Sequence, residues 1–221
     1  DTILEIGLTP NRADAASHMG VARDIQALLS NSTEAKLQWP DVKAFRSQND
    51  DLLIDVVVED TDACIRYLGL SISGVEVKES PQWLKNFLTS IGVKSINNIV
   101  DATNFVLHEL GQPLHAFDAD KITGKKVVVK KLPAKSKFVT LDGSERELNG
   151  NELMICNANE GMCMAGIFGG IHSGVSDTTV NIFLESACFN PVDIRKAGKQ
   201  HGLKTDASFR FERGTDPNIT V

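Results

Sequence analysis

The chain has 221 residues, 42% of them apolar and 24% charged, with a net charge of −6. That is the composition of an ordinary globular protein, long enough for one large domain or two small ones and able to bury roughly 70% of its extended surface. No run approaches the roughly 18 apolar residues of a bilayer span, and the opening residues hold acids and an Asn-Arg pair, so neither a membrane span nor a secretory signal is expected.

The chain opens on Asp, not Met, so it reads as a fragment or a processed product. Cys64, Cys156, Cys163 and Cys188 form no C-x-x-C pair and no zinc-type spacing. Each sits among apolar neighbours, the pattern of buried thiols in a reducing compartment. A cytoplasmic protein follows, in which the sequons at Asn31 and Asn218 have no role.

In chain order, the first predicted element is a helix over 11–29, with Met19, Ala22, Ile25, Leu28 and Leu29 approximating an apolar face. Residues 31–51 are irregular and charged, a linker. Short strands are predicted over 55–59 and 64–70. Ser80-Pro81 then opens a helix, Ser as cap and Pro in the first turn, that turns Trp83, Leu84, Phe87, Leu88 and Ile91 inward. The next helix, over 96–110, has a buried face from Ile96 to Leu110 and a polar face of Asn97, Asp101, Asn104 and His108, and stops at Gly111. A loop carrying His115 follows.

From there the pattern turns to strands: 127–131, a hairpin over 138–148 turning at Asp142-Gly143, a pair over 152–156 and 162–168, and a strand over 181–187. Asn190-Pro191 caps a last helix that ends before Gly202. Early helices, antiparallel strands and a late helix make an α+β fold.

The acidic total hides two basic runs. Residues 121–137 contain seven lysines and no acid; Arg195, Lys196, Lys199, Lys204, Arg210 and Arg213 form the second. A local patch of this kind suffices for phosphate contact, although a lysine-protected edge strand explains the first run equally well. His115 reads either as a site residue or as a cap of the preceding helix's carbonyls. Glu185, inside the apolar IFLESACF, must face solvent, find a partner or accept from a ligand. Gly166, Gly169 and Gly170 allow close backbone approach but match no phosphate-binding loop. There is no G-x-S-x-G elbow and no H-E-x-x-H, and a zinc site from His108, His115 and His172 would need a fold that spacing does not suggest.

Five strings in fixed order, TPNRADAASHMGVARDIQAL, VDATNFVLHELGQPLHAFD, LDGSERELNGNELMICN, AGIFGG and KTDASFRFERGTDP, resemble the B3/B4 region of the beta subunit of bacterial phenylalanyl-tRNA synthetases, over essentially the whole chain. The resemblance implies layered mixed and antiparallel sheets with flanking helices. It implies one composite B3/B4 unit over 1–221, with B4 inserted in B3 and 1–50 as a leading helix and linker. It also implies a pocket that hydrolyses tRNA(Phe) mischarged with tyrosine.

Carried over residue by residue, Thr103 and Asn104 fall on a Thr-Asn pair near that pocket and His115 on its editing histidine. Glu185 falls on the reader of the tyrosine hydroxyl, and Thr205 and Ala207 on residues lining the side chain. From glycine content, and not from the resemblance, backbone N–H groups near Gly166 to Gly170, Gly169 among them, are expected to face the developing oxyanion. Lys94 stands where the family often has Arg, keeping the charge for a tRNA contact but losing the bidentate fork. The implied partners are the 3′ end of tRNA(Phe) and the synthetase alpha subunit in an α2β2 parent. No metal or cofactor is expected for this piece, while ATP and Mg are expected for the parent. The alternative is a structural and tRNA-positioning module without editing activity.

Overall fold

The computed structural model describes residues 2–221. Its first helix starts later than the sequence pattern predicts, because Ser17 is the cap. The Ser17 hydroxyl accepts from the Gly20 N–H at 3.0 Å, and α1 spans His18–Leu29. Its apolar side is not turned into the core. Ile25, Leu28 and Leu29 are exposed, and within the helix only Gly20 is buried. Residues 34–54 contain no helix or strand.

β1 (Asp55–Val58) and β2 (Cys64–Ser73) follow. α2 (Gln82–Ser90) is capped by Pro81, without a side-chain bond. Ser80, the predicted cap, is committed elsewhere: its hydroxyl donates to Asp101 at 2.5 Å, alongside the Ser95 hydroxyl and the Ile96 N–H. Asp101 belongs to α3 (Asn98–Leu110) and is fully buried. The polar face predicted for this helix is therefore partly internal, a buried acid tying its first turn to the chain before α2. Trp83 and Ile96, predicted inward, are 60% and 64% exposed. Gly111, at φ +84°, stops α3 as expected.

The remaining strands are β3 (Leu114–Asp118), β4 (Lys126–Lys131), β5 (Lys137–Val139), β6 (Glu145–Glu147), β7 (Leu153–Cys156), β8 (Gly161–Met164), β9 (Phe168–Gly169) and β10 (Asn181–Phe189). Helix α4 (Pro191–His201) is capped by Asn190 and closed by Gly202 at φ +63°. A short helix, α5 (Asp206–Phe211), was not anticipated.

Three sheets result. One has the order β1-β4-β7-β8-β9, parallel only between β1 and β4; one is β2-β10-β3, antiparallel throughout; β5 and β6 form a hairpin. The chain leaves the first sheet after β1, enters the second with β2 and β3, returns to the first with β4 and β7 to β9, and ends in the second with β10. Phe117, Phe183 and Phe189 of one sheet and Val127, Val129, Met154, Ile155 and Met164 of the other nevertheless share a single apolar core.

The lysine run does not protect an edge. β4 lies between β1 and β7, with Val127, Val128 and Val129 buried and lysines at its two ends. Lys131 pairs with Asp60 at 2.9 Å and Lys137 with Glu145 at 2.7 Å. The second run is split. Arg210 is buried and donates to the Ala16 and Asp206 carbonyls, Arg213 stacks 3.6 Å over Phe209, and Lys196, Lys199 and Lys204 are exposed. No described helix is long and apolar enough to cross a membrane.

Candidate functional site

β10 is the middle strand of its sheet, so its side chains are covered by neighbours on both edges. Its register with β3 places Glu185 directly opposite His115. His115 is thus on a strand, not in the predicted loop. Immediately after the αL turn at Gly111, the buried Gln112 amide donates to the Pro113 and Ala187 carbonyls. That pair of bonds seats the chain against β10, and strand pairing begins two residues later.

The His115 ring stands edge-on to Phe117, centroids 4.5 Å apart. Its Nε2 is shut off from solvent and has no protein partner among the described residues. Burial pushes the imidazole down to about 4, so it is neutral at physiological pH. Glu185 is 5% exposed. Burial pushes its carboxyl up to about 7, opposed by a 2.7 Å hydrogen bond that the Tyr67 hydroxyl donates to Oε2. The pair thus presents a neutral ring with an unsatisfied nitrogen and a carboxyl poised near neutrality.

Both side chains line a cavity of about 70 Å³. Gly166, Gly169 and Ala207 contribute to its wall, and Pro113, Phe168 and Phe211 supply much of the apolar surface. The glycines are needed for space. A Cβ at Gly169 would lie 3.1 Å from the His115 ring and 2.8 Å from Leu141; one at Gly166, where φ is +66°, would lie 2.7 Å from Phe211. Within this turn the Ile167 and Gly170 N–H groups are already spent on the Met164 and Met162 carbonyls.

Five of the anticipated residues, His115, Glu185, Gly166, Gly169 and Ala207, are thereby brought together. Thr205 sits just behind them. Its hydroxyl accepts from the Ser208 N–H at 3.1 Å, capping α5, and donates to the Ile167 carbonyl at 3.2 Å. Thr103 and Asn104 lie half-buried on α3, Thr103 bonded back to Val100 at 2.7 Å, and Lys94 is exposed between α2 and α3. None of these three lines the cavity.

Sequence reasoning missed Tyr67 and the wall residues Cys163, Phe168 and Phe211. Tyr67 is the chain's one tyrosine, a signal that was available but not decisive. All four cysteines are free and buried, as expected.

A larger cleft of about 580 Å³ lies between α4 and the 149–152 turn, near Lys131, Lys196 and Lys199. Its buried acid, Glu152, is saturated by His201 at 2.8 Å and by the Asn149 and Gly150 amides. The smaller cavity is the better candidate because it holds polar groups without protein partners, which a ligand could satisfy. His108, near Arg210, and His172, beside another cleft, are not part of it.

Comparison with known proteins gives consistent matches. A family model for the B3/4 domain matches residues 63–221. The phenylalanine–tRNA ligase beta subunit of Bacteroides fragilis is 57% identical over 222 residues, covering 100% of this chain and 27% of that protein. Those of Porphyromonas gingivalis and Bdellovibrio bacteriovorus are 53% and 48% identical with the same coverage. The chain therefore spans about a quarter of the length of the curated relatives it matches. Among solved structures, an N-terminal fragment of the phenylalanyl-tRNA synthetase beta subunit from Pyrococcus horikoshii aligns with a TM-score of 0.47 at 17% identity, covering 89% of this chain and 60% of that one.

Proposed function

The chain belongs to the B3/4 domain family, and from that premise we propose that it is the editing region of a phenylalanine–tRNA ligase beta chain, hydrolysing the ester of tRNA(Phe) mischarged with tyrosine. The observation that carries the reading is the cross-strand placement of Glu185 and His115 in one small cavity, each with polar capacity the protein leaves open.

The reaction adds water to the ester carbonyl and breaks its bond to the terminal ribose oxygen, releasing tyrosine and tRNA. Glu185 serves as the reader. Its carboxylate accepts from the tyrosyl hydroxyl, whereas a phenylalanyl ring would leave the oxygen not bonded to Tyr67 desolvated and unpaired. A site that hydrogen-bonds a hydroxyl can discriminate by about 10⁴ to 10⁵, which apolar packing in a synthetic site cannot do against an added hydroxyl.

His115, depressed to about 4, is too weak a base to be matched to neutral pH. Its role is to orient the water or the tRNA end through Nε2. Gly166 and Gly169 are proposed to present backbone N–H groups to the oxyanion, since those of Ile167 and Gly170 are already committed. Ala207 packs against the side chain and Thr205 holds the helix that bears it. Thr103, Asn104 and Lys94 are assigned to the approaching tRNA end, outside the cavity.

The partners follow from the same reading: the 3′ end of tRNA(Phe) and an alpha chain in a cytoplasmic α2β2 synthetase, with ATP and Mg serving amino-acid activation in that parent. The complete enzyme should hydrolyse Tyr-tRNA(Phe) at least about tenfold faster than Phe-tRNA(Phe). Equal rates would remove the basis for editing and favour a structural, tRNA-positioning module.

A further inference from the structure

Glu185 is held from one side only, and by a phenol. β2 runs antiparallel to β10 with Gly69 opposite Glu185 and Tyr67 opposite Ala187. Residues two apart share a sheet face, so Tyr67 is the diagonal neighbour of Glu185. From there its hydroxyl donates to Oε2 at 2.7 Å. The position directly opposite could not hold a side chain, since a Cβ at Gly69 would lie 2.1 Å from the Phe183 ring. Among the described residues this phenol is the carboxylate's one protein donor, and Oε1 accepts from none.

We infer that Tyr67 is a positioning residue for hydroxyl recognition: by anchoring Oε2 it orients the Glu185 carboxylate so that Oε1 is the acceptor offered to a phenol entering the cavity. The inference rests on the reading of Glu185 proposed above and deepens it. The carboxylate would thus be shared by two phenols, a permanent one from the protein and a transient one from the substrate. Anchoring one oxygen removes rotation that would otherwise be lost when substrate binds. Of the roughly four acceptor directions a carboxylate has, the anchor occupies one and fixes the rest.

The protonation states agree with this division. Burial first, then the adjacent Glu185, raise Tyr67 well above the usual phenol range, so it remains a donor throughout the physiological range. Its bond opposes the effect of burial on Glu185 and favours the ionised form. Ionisation matters for selectivity, because an unpaired buried carboxylate penalises an unhydroxylated ring more than a neutral acid does.

The other titratable groups around Glu185 do not compete. Cys64 on β2 and Cys163 on β8 are pushed up by burial and remain thiols, and His115 on β3 is neutral above about 4. α5 contributes only Ala207 and Phe211 to the cavity. Between about pH 5 and pH 8, Glu185 is the cavity group that titrates.

Tyr67→Phe deletes the donor and keeps the ring. With the glutamate carboxyls of the chain ¹³C-labelled, the Glu185 signal should titrate near pH 7, and about one pH unit higher in Y67F. The chain has a single tyrosine, so replacing tyrosine by 3-fluorotyrosine strengthens the donor at this site alone and should move the midpoint the other way. In the complete synthetase, Y67F should lower the Tyr/Phe ratio of ester hydrolysis about tenfold at pH 7, with the pH at which selectivity appears moving up in step. The fall should come from slower tyrosyl-ester hydrolysis, with phenylalanyl-ester hydrolysis not slowed.

An unchanged ratio and midpoint in folded Y67F would overturn the inference, as would equal slowing of both esters at an unchanged midpoint, which marks a packing role only. Wild-type enzyme without a tyrosine preference would instead refute the reading of Glu185 itself, and the inference with it.

Discussion

Glu152 and Glu185 are 1% and 5% exposed, and each faces a histidine, but their surroundings differ. Burial raises Glu152 too, yet the His201 hydrogen bond and backbone amides outweigh it and hold the carboxyl below its usual range. Glu185 has one phenol for a partner and rises to about 7. His201 spends its Nε2 on Glu152 at 2.8 Å, while the His115 Nε2 bonds to nothing in the protein. Glu185 lies deeper in the protein than Glu152 and has fewer donors, and both differences push its carboxyl up. The saturated pair stitches α4 to the 149–152 turn; the unsaturated pair is left for a ligand.

The largest difference should appear in stability. Glu152→Ala strands a buried imidazole and two backbone N–H groups and should cost about 3–5 kcal/mol in urea unfolding. Glu185→Gln should do the opposite at high pH. The Glu185 carboxyl is raised from 4.5 to about 7 in the folded state, so its contribution is fully present below pH 4.5 and is lost as pH rises through 7. Relative to E185Q, the wild type should lose up to about 3 kcal/mol across that window. A loss of stability in E185Q at pH 8 as large as that in E152A would erase the contrast.

His115 sharpens the same comparison with a slope of opposite sign. It is depressed from 6.5 to about 4, so stability is lost as pH falls from 6.5 towards 4, when the unfolded chain takes up the proton first. In wild type the two slopes offset one another between pH 4.5 and 6.5. His115→Phe should remove the His115 slope, so that stability falls more steeply, or rises less, between pH 4.5 and 6.5 than in wild type. For function, His115→Ala should slow deacylation while phenylalanine charging stays within about threefold of wild type; parallel losses would assign the histidine to assembly.

The smallest effect is expected at Thr205, which shapes the cavity from behind through the α5 cap and its bond to the Ile167 carbonyl. Thr205→Val should cost about 1 kcal/mol by removing that cap and reduce hydrolysis of both esters alike. A selective loss for the tyrosyl ester would give Thr205 a direct substrate role.

The two pairs differ as well in how far they could be read from sequence. Asn190-Pro191, Asp142-Gly143 and Gly111 mark local turns and caps, and the corresponding elements appear where expected. α5 was missed because six residues give less than two turns of periodicity, although Thr205 and Ser208 form a reciprocal cap. Glu185 could be singled out as a carboxylate in an apolar strand, but its depth and its tyrosine depend on the register of β2 against β10, across more than a hundred residues. Ser80 failed as a cap for the same reason, since Asp101 claims it from another helix. Local chemistry sets turns and ends; partnerships between distant strands decide which polar group is left open.

The central claim is that the open Glu185 carboxylate reads a hydroxyl, and Glu185→Ala tests it most directly through the kcat/KM of the complete enzyme for Tyr-tRNA(Phe) and Phe-tRNA(Phe). Removing a charge-assisted hydrogen bond worth about 1.5–3 kcal/mol should slow the tyrosyl ester about 10- to 150-fold. The phenylalanyl ester should be spared or hydrolysed faster, so that the ratio collapses. Equal slowing of both esters, with the folded fraction unchanged, would place Glu185 in the chemical step or in pocket order and contradict its assignment as the reader.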